Sequence, residues 1–188
     1  MGRWQPDAAG RLQQAAFELY AERGYEQTTV AEIADRAGLT ERTFFRHFAD
    51  KREVLFSGSD QLEKLIVDAL DAAPSSATPM EAIASGLAAA SAIFVSSRRP
   101  YSRQRQSVID TNPELQEREL VKLASLAAAL ADALRRRGVQ DPAAELAAHA
   151  GVAVFRVAFE HWIRDDSERG FSQFVNQGIA ELRTLTAG

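Results

Sequence analysis

Apolar residues recur at intervals of three and four along most of the chain, a spacing that predicts helices with one buried face. Strand-type alternation of useful length does not occur in the sequence, so the pattern predicts an all-α fold of about nine helices. Capping residues, glycines and prolines divide the pattern into an N-terminal three-helix domain at residues 1–56 and a C-terminal helical domain at residues 57–188. The last two helices are expected at about residues 142–164 and 171–186.

The stretch 29–48, TVAEIADRAGLTERTFFRHF, has the signals of two short helices joined by a tight turn. Thr29 and Glu32 are spaced as a capping box at the start of the first helix. Gly38 suits the left-handed backbone that ends a helix, because glycine adopts it at little cost. Thr40 is a natural N-cap for the second helix. The stretch is therefore predicted to be a helix-turn-helix unit.

The second helix of this unit is predicted to have one buried and one exposed face. At ~100° per residue, Phe44 and Phe48 lie close together and point inward. The opposite face carries two guanidiniums, a hydroxyl and an imidazole: Arg42, Thr43, Arg46 and His47. Such groups suit both the phosphates and the base edges of DNA. Short two-helix units with a glycine turn also occur in helical proteins that never bind DNA, so this alternative stays open.

A fourth helix is expected to begin directly after the helix-turn-helix. Asp50 would cap it, with Glu53 as the partner in a second capping box. Lys51 would then lie in the first turn of that helix, where its ammonium and the backbone N–H groups could bind one phosphate together.

Composition and charge narrow the classes of function. No cysteine is present, which excludes disulfides and thiolate metal sites. No run approaches the ~18 apolar residues of a membrane span, and the start MGRWQPDAAGR has no secretory signal, so we expect a cytoplasmic protein without a membrane partner. Net charge is −4, yet residues 40–52 carry four basic and two acidic residues. Positive charge confined to one surface predicts modest nonspecific affinity for DNA.

Residues 10–56 resemble the N-terminal domain of tetracycline-repressor (TetR) family transcription regulators. The motifs that carry the resemblance are AERGYEQTTV, IADRAGLT and TFFRHFADKREVL. The resemblance implies contacts to the DNA backbone or to thymine methyl groups by Thr29, Thr40, Thr43, Phe45, His47 and Lys51. It implies that Arg42 reads a base, and a guanine is the expected partner of its guanidinium.

Two positions depart from the usual TetR pattern. Phe45 lacks the tyrosine hydroxyl that commonly bonds a phosphate, so its expected contact is apolar. Arg46 replaces a second tyrosine and is expected to supply a phosphate contact. Glu41 has two interpretations, an acceptor for a cytosine amino group or a solvated acid favoured by the helix dipole.

The segment 142–164 is apolar on two sides, so both sides must be covered. We expect an aromatic side, which faces the interior of the subunit: His149, Val152, Phe155, Arg156, Phe159, Trp162 and Ile163. We expect a side of small residues, which allows close approach of another helix: Ala147, Ala150, Val154, Val157 and Ala158. With the helix at 171–186, this predicts a four-helix homodimer interface. The alternative is that both sides pack within one monomer.

Charged residues on or near the aromatic side suggest an effector site. The candidates for ligand contact are Arg103, His149, Val152, Arg156, Phe159 and Trp162. Arg156 would receive an anionic group in an apolar pocket, or it would form an internal salt bridge. Basic residues 98, 99, 103 and 105 have no acid between Ser85 and Ile109. They would form a solvated surface or hold ligand phosphates.

The stretch TNPELQERELVKLASLAAALADALRRRG and the segment VFRVAFEHW resemble regulators of the mycofactocin type, which implies acyl-CoA thioesters as effectors. The motifs of serine hydrolases, phosphate-binding loops and zinc proteases do not occur, so we expect no enzyme activity, catalytic residue, cofactor or metal.

The expected function is a ligand-responsive repressor. It would bind a palindromic operator in double-stranded DNA as a homodimer, and a small apolar or acyl-CoA-like effector would release it. Repression is expected because a dimer without a polymerase-contacting domain acts most simply by obstruction. The alternative is a helical adaptor without DNA binding, which would not explain the polar face from Arg42 to His47.

Overall fold

The computed structural model describes residues 8–187 and contains only helices and connecting segments in that range. Its α-helices are α1 (Ala8–Arg23), α2 (Val30–Arg36), α3 (Glu41–His47), α4 (Glu53–Phe56), α5 (Ser59–Asp71), α6 (Pro79–Ala89), α7 (Arg99–Asp110), α8 (Pro113–Arg136), α9 (Ala143–Arg164) and α10 (Phe171–Thr186). Short 3₁₀ turns lie at Ala90–Ala92 and Ser96–Arg98. The predicted all-α fold is confirmed, and counting the single-turn α4 with α5 gives nine helices over the described residues.

The predicted fourth helix begins later than expected and is divided into two helices, α4 and α5. Its expected start at Lys51 is wrong. Asp50 does accept hydrogen bonds from the backbone N–H groups of Arg52 at 2.8 Å and Glu53 at 3.1 Å. The helix itself begins only at Glu53, whose carboxylate accepts from Arg118 at 2.6 Å. Gly58 then adopts a φ of +89°, which an α-helix cannot contain, and α5 starts as a separate helix.

The chain forms two compact units. The first runs to Ser57 and also contains the segment Gln104–Glu119, and the second contains Gly58–Arg103 and the chain from Leu120 onward. The segment 104–119 had been expected within the C-terminal domain. Two of its arginines explain its place in the first unit. Arg105 Nε donates to the Leu55 carbonyl at 2.6 Å, and Arg118 binds Glu53 as described above.

The core of the first unit forms where α1 contacts α2, α3 and α4. α1 buries its apolar stripe, which includes Leu12, Phe17 and Tyr20. α2 contributes Ile33 and α3 contributes Phe44, both fully buried. The two helices of the helix-turn-helix are thus packed against the buried face of α1.

The second unit is held by close contacts among α5, α6, α9 and α10. Gly86 on α6 lies directly against α5, since a Cβ atom there would be 2.7 Å from the Ile66 carbonyl oxygen. Gly151 on α9 lies equally close to Ile83 Cγ2 on α6. These glycines allow the helix backbones to approach more closely than alanines would.

We predict that Gly86→Ala destabilises the protein. Alanine favours helix by about 1 kcal/mol, but the clash is with a backbone oxygen that no rotamer change can move, and overpacking costs about 1–3 kcal/mol. Urea unfolding followed by circular dichroism should show a net loss of about 1 kcal/mol or more. The exposed neighbour Ser85→Ala is the matched control and should stay within about 0.5 kcal/mol of wild type. Equal stability of the two variants would contradict the prediction.

Candidate functional site

The turn between α2 and α3 is built as its residue types predict. Thr29 N–H donates to Glu32 Oε2 at 2.9 Å, and Glu32 N–H donates to Thr29 Oγ1 at 3.3 Å, which completes the capping box. Gly38 has a φ of +64° and ends α2. Thr40 caps α3 by accepting from Thr43 N–H at 3.2 Å. Both predicted caps and the role of the glycine are confirmed.

A contact from α1 fixes the end of α2. The Arg11 guanidinium donates to the Ala37 carbonyl, one residue before the turn glycine. A Cβ atom at Gly38 would be 3.0 Å from Arg11 Nη2, so this position is crowded as well as left-handed. α1 therefore holds the end of α2 in place directly before the turn.

The predicted faces of α3 are confirmed. Phe44 is fully buried and Phe48 is 5% exposed, with ring centroids 5.4 Å apart. On the other face, five side chains are exposed: Thr40, Arg42, Phe45, Arg46 and His47. Thr43 is half-buried, because its hydroxyl lies 3.0 Å from that of Thr40. Within residues 8–187, Arg42 and Arg46 make no ion pair, so their guanidiniums face solvent.

The acids behind this surface are paired within the unit. Arg36 binds Glu22 through two 2.8 Å contacts, and this hydrogen bonding holds the pKa of Glu22 below its ordinary value of 4.5. The hydrogen bonds from the N–H and hydroxyl of Thr29 lower the pKa of Glu32. Both carboxylates are therefore ionised at neutral pH, and their charge is compensated locally.

Lys51 has an internal role that the sequence did not reveal. Its Nζ donates to the carbonyls of Tyr25 at 3.0 Å and Thr28 at 3.2 Å, and lies 4.1 Å from the centre of the Tyr25 ring. Tyr20 Oη in turn donates to the Lys51 carbonyl at 3.0 Å. The lysine thus ties the loop before α2 to the segment after α3, with one of its three N–H donors left over.

Asp50 carries the adjacent charge. Burial would raise the pKa of its carboxyl, but the Arg52 side chain and the Glu53 N–H bind the charged form and outweigh burial, so the pKa is lowered. Arg52 Nη2 lies 2.6 Å from Asp50 Oδ2. The positive charge of Arg52 is thereby compensated by Asp50, within the first unit.

In the second unit, five of the six predicted ligand contacts lie on α9 and divide into two groups, while Arg103 lies on α7. Val152, Phe159 and Trp162 pack with the hydrophobic core, where Trp162 is completely buried. His149 and Arg156 do not join them. The prediction that these two face the interior is wrong, because the buried side of α9 is centred on Ala148, Phe155 and Trp162, and turns of ~100° per residue place His149 and Arg156 outside it.

Arg156 matches the salt-bridge alternative more closely than the pocket. Its Nη2 lies 3.9 Å from Glu160 Oε1 one turn later, and the two side chains are 54% and 43% exposed. This is a surface pair with a small energetic contribution.

The small-residue side of α9 is rotated relative to the prediction. Val154 and Ala158 are buried within the subunit, where Val154 packs against Gly178 of α10. The exposed stripe consists of Leu146, Ala153 and Val157 at helical spacing, with the half-buried Ala150 between them. Leu146 is 68% exposed and Val157 is 51% exposed. An apolar stripe of this kind is unusual on a surface that stays in water.

The four arginines of the 98–105 stretch form no single solvated patch or phosphate clamp, because only Arg98 and Arg103 are exposed. Arg99 is buried and donates to the carbonyls of Asp165, Ser167 and Arg169 at 2.6–2.8 Å. Arg103 donates to the Ile163 carbonyl at 2.7 Å and binds Asp166 at 3.0 Å. Arg103 is therefore a structural tie to the end of α9 and not part of the aromatic region.

The sequence pattern groups Phe155 and Phe159 with Trp162, but it does not reveal two further aromatic neighbours, Phe94 and Phe171. We define the aromatic cluster as Phe94, Phe155, Phe159, Trp162 and Phe171. Phe94 is its centre, with ring centroids 4.8–6.0 Å from the other four. Phe94 and Phe171 come from other segments than α9, and helical spacing within one segment cannot reveal contacts between segments.

Two further properties concern residues 8–187 only. No single helix there is long and apolar enough to cross a bilayer, and the one pair of helices that meets this test together is sharply bent at its break. No group of histidines, aspartates and glutamates in that range is arranged to hold a metal ion.

Comparison with known proteins agrees with this architecture. The family profile described as bacterial regulatory proteins, tetR family, matches residues 12–57, and that of the MftR C-terminal domain matches residues 77–187. A candidate mycofactocin biosynthesis transcriptional regulator, MftR of Mycobacterium tuberculosis, is 28% identical over 170 residues, which cover 89% of this chain and 85% of that protein. The transcriptional regulator TcmR of Streptomyces glaucescens is 38% identical over 73 residues, which cover 39% of this chain and 32% of TcmR.

Solved structures share the fold. A transcriptional regulator of Pseudomonas aeruginosa superposes with a TM-score of 0.67 at 19% identity, covering 99% of this chain and 94% of that one. FadR of Bacillus subtilis, solved in complex with stearoyl-CoA, gives a TM-score of 0.62 at 20% identity, covering 92% and 96%. Both resemblances stated from the sequence are confirmed. The chain belongs to the tetR family of bacterial regulatory proteins, as a helix-turn-helix transcriptional regulator with a C-terminal domain of the MftR type.

Proposed function

We propose that this regulator is a repressor that binds a palindromic operator as a homodimer and is released by a small apolar or acyl-CoA-like effector. The observation that carries the proposal is the exposed face of α3. Arg42 and Arg46 are held outward there by the buried phenylalanines and are free of ion pairs within residues 8–187. A short helix with unpaired guanidiniums suits insertion into a major groove.

Each reader residue has a proposed role. Arg42 reads a guanine, and the other contacts go to phosphates, sugars or thymine methyl groups: Thr29, Thr40, Thr43, Phe45, Arg46, His47 and Lys51. The Thr40 and Thr43 hydroxyls already bond each other, so they meet the DNA as a preorganised pair. Lys51 can offer a phosphate only the donor that its two carbonyl bonds leave over.

The proposed dimer uses the exposed stripe of α9 together with α10. Small side chains at Ala150 and Ala153 permit close approach of the same helix from a second copy, and Leu146 and Val157 supply apolar area. A two-fold axis through this surface would present two α3 helices to half-sites about one helical turn apart, ~34–36 Å.

The proposed effector is an apolar molecule such as an acyl thioester. Support comes from the MftR-type domain, which covers residues 77–187, and from the aromatic cluster that this domain contains. FadR has the same fold and binds stearoyl-CoA. Release requires that the effector bind the DNA-free conformation more tightly than the DNA-bound one.

Arg42→Ala should weaken specific DNA binding while leaving the fold intact, because the side chain is exposed. A bidentate arginine–guanine pair discriminates by about 1–3 kcal/mol, so affinity should fall about tenfold to a hundredfold per half-site. Gel shifts against the promoter region beside the protein's own gene measure this. Arg98→Ala, an exposed arginine outside the reader, is the control and should bind like wild type. If wild type does not bind this promoter specifically, or Arg42→Ala binds as well as wild type, the proposed reader is wrong.

Val157→Glu should convert the dimer to a monomer, because two copies of the new carboxylate would be buried against each other at the two-fold axis. Size-exclusion chromatography with light scattering should give about twice 20.6 kDa for wild type and 20.6 kDa for the variant. Val121→Glu is the matched control, since Val121 is equally exposed at 50% but lies on α8. A wild-type mass of 20.6 kDa, or monomers from both variants, would overturn the assignment of the interface.

A further inference from the structure

We propose that the effector carries an acceptor oxygen, a carbonyl or a carboxylate, on its apolar body, and that the indole N–H of Trp162 in the aromatic cluster donates to it. This inference rests on the proposed function, since it concerns the molecule that would control DNA binding. It names the polar group that recognises the effector, which an apolar cluster alone would leave unspecified.

The first observation concerns the indole N–H of Trp162. The side chain is completely buried, and its Nε1 has no hydrogen-bond acceptor among the described residues. Buried tryptophans usually find a partner for this N–H, because leaving it unmade costs free energy. Around the ring lie Phe94, Phe159 and Phe171 at centroid distances of 5.6–6.1 Å, none of which offers an oxygen.

Two more buried polar atoms of the second unit lack a hydrogen-bond partner among the described residues. Arg99 Nε is buried without an acceptor, and the guanidinium carbon lies 5.3 Å from the centre of the Trp162 ring. Ser91 Oγ is also buried without a partner, three residues before Phe94. All three groups can donate a hydrogen bond. Trp162 Nε1 and Arg99 Nε can only donate, and of the three groups only the serine hydroxyl can also accept, so the imbalance favours a ligand oxygen.

The charge around the aromatic cluster narrows the chemical class of the ligand further. Three of the four other N–H groups of Arg99 donate to backbone carbonyls, so among the described residues its positive charge is balanced only by a long ion pair with Asp165. The nearest acid is Asp165, whose Oδ2 is 3.7 Å from Arg99 Nη1 and already accepts from the Ser167 hydroxyl. A cationic ligand would be repelled there. A neutral carbonyl or an anionic carboxylate would be favoured.

Phe94 marks where the apolar body enters. It is half-buried at the edge of the core and lies on the bend between the 3₁₀ turns Ala90–Ala92 and Ser96–Arg98. The other four cluster members are on α9 or at the start of α10, where the helix backbone fixes them. Phe94 is therefore the ring that moves at least cost, and an effector would take its place against Trp162.

Nuclear magnetic resonance of the indole N–H tests the proposal directly. The chain has two tryptophans, so Trp4→Phe in the full-length protein leaves Trp162 as the only indole signal. The probes are 4-phenyl-2-butanone and 4-phenylbutanoate, which carry acceptor oxygens, and butylbenzene, which lacks them. We expect saturable downfield shifts of the indole proton with the acceptor probes and none with butylbenzene. A shift with the carboxylate alone would identify an acid as the natural effector class, and a shift with both would identify a carbonyl as sufficient.

Variants test the same contact by affinity. In Trp162→Phe, the preference for the ketone over butylbenzene should fall by about fivefold, the typical worth of one neutral hydrogen bond. Phe94→Ala should tighten binding of all three probes, because it vacates the place that their phenyl group takes. If Trp162→Phe does not fold, the resonance experiment on the Trp4→Phe protein decides alone.

The proposal is overturned if neither acceptor probe binds, if both bind without moving the indole signal, or if that signal is already shifted upfield by a ring beneath the N–H and stays there. DNA binding keeps this failure separate from failure of the proposed function. Specific operator binding with an unresponsive indole leaves the repressor and removes the effector contact. An indole signal that responds to the probes, without operator binding, leaves the effector contact and removes the proposed repressor.

Discussion

The burial of Phe44 and Phe48 fixes the orientation of α3, and the candidate DNA-binding surface depends on it. α3 has only seven residues, so it can bury one narrow face. When the two rings occupy that face, turns of ~100° per residue leave Arg42, Arg46 and His47 on the outside. The Thr40 cap and the left-handed Gly38 set where the helix starts. The hydrophobic interior of the first unit therefore selects the side chains that a DNA groove would meet.

The same unit resolves an apparent conflict in its charge. Residues 1–56 contain eight basic and nine acidic residues, which by itself argues against a polyanion partner. Most of the acids are paired within the unit: Glu18 and Glu22 with Arg36, Glu32 with Arg23, Asp50 with Arg52, and Glu53 with Arg118. Because such pairs cancel at short range, the field near α3 is set by the charges that lack a partner in an ion pair among the described residues, Arg42 and Arg46 together with the acid Glu41. Local pairing, more than net charge, determines what this surface attracts.

Sequence reasoning succeeded where the interacting residues are close along the chain. The capping box of Thr29 with Glu32, the turn at Gly38 and the faces of α3 all follow from spacings of three or four residues. It failed on α9, where apolar residues occur around most of the helix and the buried side cannot be separated from an exposed apolar stripe. His149 and Arg156 were misplaced for that reason.

Long-range contacts were inaccessible for a different reason. Arg99 binds carbonyls 66 to 70 residues away, and backbone carbonyls carry no signature in the sequence. The inclusion of residues 104–119 in the first unit depends on Arg105 and Arg118, whose partners lie 50 and 65 residues earlier. Arginines without acids nearby in the sequence can face solvent, bind a ligand or donate to the carbonyls of a turn. Only the fold distinguishes these three arrangements.

Arg99 also gives the proposed effector contact a physical route to the proposed dimer helices. Its guanidinium packs against Trp162 on one side and on the other binds the segment 165–169, which connects α9 to α10. A ligand oxygen that accepts from Trp162 would lie beside this guanidinium and would compete with the carbonyls for its N–H donors. Any resulting shift of Arg99 acts first on the α9–α10 connection, since three carbonyls of that connection accept hydrogen bonds from Arg99. An effector bound in the aromatic cluster would therefore act on the relative position of α9 and α10, the two helices on which the spacing of the paired readers would depend.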